Sequence, residues 1–77
     1  MPPLRSHTVA LTNSQVEVLR GILEEQGFKF EVRPYTIYLG QKPGLTIAVY
    51  QKGPKAVIQG KGCQEFIEFT LEPKVLG

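Results

Sequence analysis

Residues 28–59, FKFEVRPYTIYLGQKPGLTIAVYQKGPKAVIQ, decide the fold. Phe28, Phe30 and Val32 alternate with Lys29, Glu31 and Arg33, the period of two that a half-buried strand requires. Pro34 breaks the ladder because it has no N–H to donate, so a bulge, bend or edge belongs there, and residues 35–39 resume as strand. Gly40-Gln41-Lys42-Pro43-Gly44 reads as a turn, residues 45–51 as a strand, Lys52-Gly53-Pro54 as a second turn and residues 55–59 as a short strand. Hairpins in series make an antiparallel meander.

On the N-terminal side, residues 6–11 (SHTVAL) alternate roughly and form a short strand. The period then changes. Thr12-Asn13-Ser14-Gln15 and Ser14-Gln15-Val16-Glu17 both fit a capping box, and a helix is expected from about Ser14. Val16, Leu19 and Leu23 make its apolar stripe, widened by Val18 and Ile22, and Gly27 is placed to end it. On the C-terminal side, Gly60-Lys61-Gly62 leaves the sheet. Cys63, Phe66, Ile67, Thr70 and Leu71 fall at helical spacing, so a second helix is expected to about Leu71, stopped by Pro73. The class is therefore α+β: an antiparallel sheet with two helices packed on one face, in the order β-α-β-β-β-α.

A chain of 77 residues holds one small domain. Its 42% hydrophobic and 21% charged residues are ordinary globular usage, so intrinsic disorder is not expected. The single Cys63 has no disulfide partner, and one histidine with one cysteine cannot make a zinc set. No apolar run reaches the roughly 18 residues that span a bilayer. A cytoplasmic protein without a membrane partner is the expectation.

Charge is divided along the chain. Residues 26–61 carry Lys29, Arg33, Lys42, Lys52, Lys55 and Lys61 against Glu31 alone, whereas the blocks on either side are net acidic. Two helices cover only one face of the meander. If Ile37, Leu39, Ile47, Val49, Ala56 and Ile58 point at the helices, then Thr36, Tyr38, Thr46, Ala48, Tyr50, Val57 and Gln59 point out. Lys42, Lys52, Lys55 and Lys61 rim that face. Tyrosines framed by lysines suit stacking on bases or sugars with phosphates on the rim; a protein partner docked on the same face is the rival reading, and a cross-strand pair that stiffens the sheet is the plain one.

No catalytic constellation is expected. The chain has no aspartate, its glutamates are scattered, and His7 reads as a surface residue. Cys63 reads as a small apolar residue. Gly60-Lys61-Gly62 before a helix start has the makings of a phosphate loop, but glycines placed for turn geometry explain it equally well.

The runs Pro34-Tyr35-Thr36-Ile37-Tyr38, Pro43-Gly44-Leu45-Thr46-Ile47-Ala48-Val49-Tyr50 and Lys55-Ala56-Val57-Ile58-Gln59-Gly60-Lys61-Gly62 resemble the N-terminal domain of bacterial ribonuclease HIII. The sequence departs from that family's pattern at Arg33 and Pro54. The resemblance implies a TATA-box-binding-protein-like fold and a module that helps bind an RNA/DNA hybrid. It also implies a separate ribonuclease H domain that cuts the RNA strand with metal ions held by carboxylates. On that basis residues 1–72 are the substrate-binding domain, 73–77 begin a linker to the catalytic domain, and this chain alone is neither an enzyme nor the holder of a cofactor. Lys42, Lys52, Lys55 and Lys61 are expected to meet phosphates, and Tyr38, Tyr50, Thr36, Thr46 and Gln59 to meet sugars or base edges.

Overall fold

The structure is a computed structural model and describes residues 6–76. Five strands, β1 (Ser6–Ala10), β2 (Lys29–Glu31), β3 (Thr36–Lys42), β4 (Leu45–Tyr50) and β5 (Lys55–Gln59), form one antiparallel sheet in the order β1-β5-β4-β3-β2. Helix α1 (Asn13–Glu25) lies between β1 and β2, and α2 (Cys63–Phe66) follows β5. Side chains from both helical segments and from the inward positions of the sheet share one core, including Leu19, Leu23, Ile47, Ile58, Cys63 and Leu71. The helices thus occupy one face of the sheet.

Helix α1 starts where the sequence allows the better cap. The Thr12 hydroxyl accepts from the Gln15 N–H at 3.1 Å, and Gln15 Oε1 accepts from the Thr12 N–H at 2.9 Å. Of the two candidate capping boxes this one forms, which moves the first helical residue to Asn13. Val16, Leu19 and Leu23 are buried, and Gly27, at φ 82°, ends the helix in the left-handed conformation that glycine adopts without strain.

Around Pro34 the chain reverses. Residues 28–39 are not one interrupted strand but two paired ones, with Lys29 opposite Gln41 and Glu31 opposite Leu39. Four strands rather than three therefore follow α1. The next hairpin is tighter than composition suggests: β3 continues through Gly40, Gln41 and Lys42, and Pro43-Gly44 alone make the turn. Glycine suits position 40 of the strand because a Cβ there would stand only 3.1 Å from Leu23 Cδ1 and press on the core side of α1.

The facing expected for β3 is corrected. The pairing skips Ile37, so that Thr36 lies opposite Tyr50 and Tyr38 opposite Val49. This β-bulge reverses the phase of the strand relative to β4. Tyr38, expected outside, is only 4% exposed and its hydroxyl donates to the Val16 carbonyl at 2.8 Å. Its ring meets Phe30 edge-on, with centroids 5.7 Å apart. Thr36 shares a row with Tyr50 but is buried, its hydroxyl donating to the Arg33 carbonyl at 2.7 Å and accepting from the Arg33 N–H at 3.1 Å. Ile37, expected inside, is partly exposed beside α1, and Leu39 takes the open face, in one row with Ala48 and Val57.

The second helix also differs. After Phe66 it widens into a π-helix, Ile67–Leu76, and passes through Pro73 instead of stopping before it. Tertiary anchoring holds it: Ile67, Leu71 and Val75 are buried, and Gln15 Nε2 of α1 donates to the Val75 carbonyl at 3.3 Å. The domain boundary drawn at residue 72 falls inside this packed segment.

Candidate nucleic-acid interface

Alternation in the central strands fixes the open face. Ile47 and Val49 are fully buried toward the helices, so Thr46, Ala48 and Tyr50 point the other way. Antiparallel pairing extends each into a row. One row runs Gln41, Thr46, Gln59 and Ser6, a polar strip that Lys29 continues at the β2 edge. The next runs Glu31, Leu39, Ala48, Val57 and Thr8, with Leu39, Ala48 and Val57 as the apolar floor of the face and Glu31, paired with Arg33, at its β2 edge. A third joins Tyr50 and Lys55.

Tyr50, Lys52 and Lys55 come together at the end of the sheet formed by the β4–β5 turn. With Tyr35, Thr8 and Val57 they line a shallow cleft of about 480 Å³. Tyr35 is a site residue that the strand pattern does not single out. It is 84% exposed and stands at φ 67°, a left-handed conformation uncommon for a bulky residue. The turn that holds it is braced on both sides. Thr36 N–H donates to the Arg33 carbonyl at 3.1 Å, the Tyr35 carbonyl accepts from the Gln51 N–H at 3.0 Å, and Arg33 pairs with Glu31 at 2.6 Å. The aromatic pair on this face is therefore Tyr35 with Tyr50. The exposure of Tyr35 follows from the chain reversal after Pro34, which the alternation of residues 28–39 does not reveal.

Lys42 and Lys61 lie elsewhere. They line a groove of about 600 Å³ at the other end of the sheet, on the side of the helices, together with Phe28, Leu45, Phe66 and the exposed Phe69. The Lys42 ammonium is 5.5 Å from the centroid of the Phe28 ring, a cation–π distance. Since β4 spans six residues, roughly 17 Å of strand separates the two lysine groups. Thr46 and Gln59 stand opposite each other in the polar strip between the two ends.

The Gly60-Lys61-Gly62 loop is folded for structural reasons. Gly60 has φ 124°, and a Cβ there would collide with the Gly44 carbonyl oxygen. The Gly62 N–H donates to that same oxygen at 3.1 Å, and the Cys63 N–H to the Gly60 carbonyl at 3.2 Å. Two of the amides that a phosphate would use, those of Gly62 and Cys63, are thereby engaged.

The titratable groups in the interior are held neutral. Burial pushes the Tyr38 phenol well above its ordinary range, opposed in part by the Arg20 guanidinium, and burial pushes the Cys63 thiol up as well. Cys63 is fully buried with Sγ 3.4 Å from the Ile58 carbonyl, the reverse of what activates a nucleophile. Among the described residues no three His, Cys, Asp or Glu side chains gather as a metal site, and no helix is long and apolar enough to cross a membrane.

No family model matches the sequence. Ribonuclease HIII of Chlamydia trachomatis serovar L2 is 47% identical over 66 residues, covering 86% of this chain and 22% of that protein. The region is homologous to ribonuclease HIII. Ribonuclease HIII of Chlamydia felis is 44% identical over the same length, and that of Chlamydia abortus 46% over 59 residues. The chain spans about a fifth of the length of these ribonucleases HIII. Among solved structures, RNase H3 of Aquifex aeolicus superposes with a TM-score of 0.76 at 24% identity, over 86% of this chain and 26% of that one. The α+β architecture implied by the sequence, an antiparallel sheet with both helices on one face, is thus a fold that RNase H3 of Aquifex aeolicus also contains.

Proposed function

We propose that the open sheet face binds nucleic acid, an RNA/DNA hybrid by preference, and serves as the substrate-binding module of a ribonuclease H type protein. The observation that carries this reading is the composition of that face. Tyr35 and Tyr50 stand with Lys52 and Lys55 at one end of it, and the strip Gln41, Thr46 and Gln59 leads to Lys29 at its far edge. Lysines neutralise phosphates without reading sequence, and hydroxyl and amide groups on a flat face suit a wide, shallow minor groove with 2′-hydroxyls. Homology to ribonuclease HIII supports the choice of substrate. In this reading Thr36 and Tyr38 support the hairpin that presents Tyr35, Lys42 and Lys61 add positive potential at the opposite end, and hydrolysis of the RNA strand belongs to a separate ribonuclease H domain that brings its own metal ions.

Titration of a fluorescent hybrid duplex at low and at moderate salt tests the proposal. Binding that weakens with a log–log slope of about −2 to −4, as two to four phosphate contacts require, is expected. No binding at low salt, or binding indifferent to salt, would overturn it.

A further inference from the structure

We infer that the cleft between Tyr35 and Tyr50 takes an unstacked nucleotide, its base against the tyrosine rings and its phosphates on Lys52 and Lys55, so that a hybrid carrying a single-stranded extension binds better than a blunt one. The inference rests on the nucleic-acid reading of this face and goes beyond it. Two ends of the face differ in kind. The strip Gln41, Thr46 and Gln59 is flat and polar and suits the edge of a duplex groove. The Tyr35 end is a cleft with Val57 in its lining, two aromatic rings and two ammonium groups, and no acidic side chain among its lining residues.

Base faces inside a duplex are stacked on their neighbours, so a side-chain ring reaches one only where the strand is unpaired. A tyrosine 84% exposed, fixed at φ 67° by the bonds of the Arg33–Thr36 turn, is presented for that contact. An aromatic platform beside a positively charged groove is how single strands are held without sequence preference. The volume of about 480 Å³ lies within the roughly 300–1,000 Å³ of sites that bury a molecule of nucleotide size.

Fluorescence anisotropy with the full chain separates the cases, using a blunt hybrid and the same hybrid with a single-stranded DNA extension. The wild-type chain is expected to bind the extended hybrid at least about 5-fold more tightly, the effect of one stacked base. Tyr35→Asn, which tolerates the left-handed backbone but lacks the ring, is expected to weaken binding of both duplexes and to bring the ratio of extended to blunt affinity to about 1; Tyr35→Phe is expected to retain the wild-type ratio. A wild-type chain that gains nothing from the extension, or a gain that survives Tyr35→Asn, overturns the inference while salt-dependent blunt binding leaves the proposed function standing. Absence of binding to either duplex overturns both.

Discussion

Tyr35 and Tyr38 sit three positions apart in one hairpin and have opposite surroundings, which makes their substitutions a contrast. Tyr38→Phe removes the hydrogen bond to the Val16 carbonyl and is expected to lower stability by about 1 kcal/mol in urea denaturation, with nucleic-acid affinity kept. Tyr35→Ala, at an exposed ring, is expected to stay within about 0.5 kcal/mol in the same assay and to weaken binding. Burial also gives a pH signature. Tyr38 and Cys63 are protonated in the folded chain because burial raises both groups, whereas in the unfolded chain they release protons at ordinary values of about 10 and 8.5. A raised pKa stabilises fully below the unfolded value and progressively less above it. Stability is therefore expected to fall as pH climbs past about 8.5 and faster beyond about 10, and Tyr38→Phe should flatten the second part of that fall. At Gly60, where a Cβ meets the Gly44 carbonyl, substitution by Ala is expected to cost about 1–3 kcal/mol.

At the scale of elements, the hairpin around Pro34 and the C-terminal helix show what local pattern does and does not carry. Alternation places Lys29 and Glu31 on one side of Phe30, and Ile47 and Val49 on the buried side of β4, because those strands keep an unbroken period of two. It misplaces Tyr38 because a one-residue bulge at Ile37 leaves no mark in residue type. The second helix is legible in Cys63, Phe66, Ile67 and Leu71 but its end is not: Pro73 is a local stop signal, and the bond from Gln15 to Val75, 60 residues apart, is not local. Replacement of Val75 by Ala is accordingly expected to destabilise the domain by about 1–2 kcal/mol through its two lost buried carbons, measurable by thermal or urea unfolding, whereas a residue in a free linker would be silent. Thr12→Ala, which removes one half of the capping box, is expected to cost about 1 kcal/mol.

For the whole molecule the question is which face meets a partner. The basic middle of the sequence becomes two separate lysine groups, Lys52 with Lys55 beside the tyrosines and Lys42 with Lys61 in the groove on the helix side. Charge in the sequence points to a polyanion, but only the hairpin geometry divides the lysines into these sets. Lys52→Ala and Lys55→Ala together are expected to reduce the salt slope of hybrid binding by about 2. The central claim, that the open sheet face binds the hybrid, is tested most directly by following backbone amide NMR shifts of the labelled chain as hybrid duplex is added. The expected result is perturbation concentrated at Thr8, Tyr35, Thr46, Tyr50, Val57 and Gln59, with Glu17, Glu24, Glu68 and Phe69 on the helical side unmoved. Perturbation confined to the helices, with the open face silent, would contradict it.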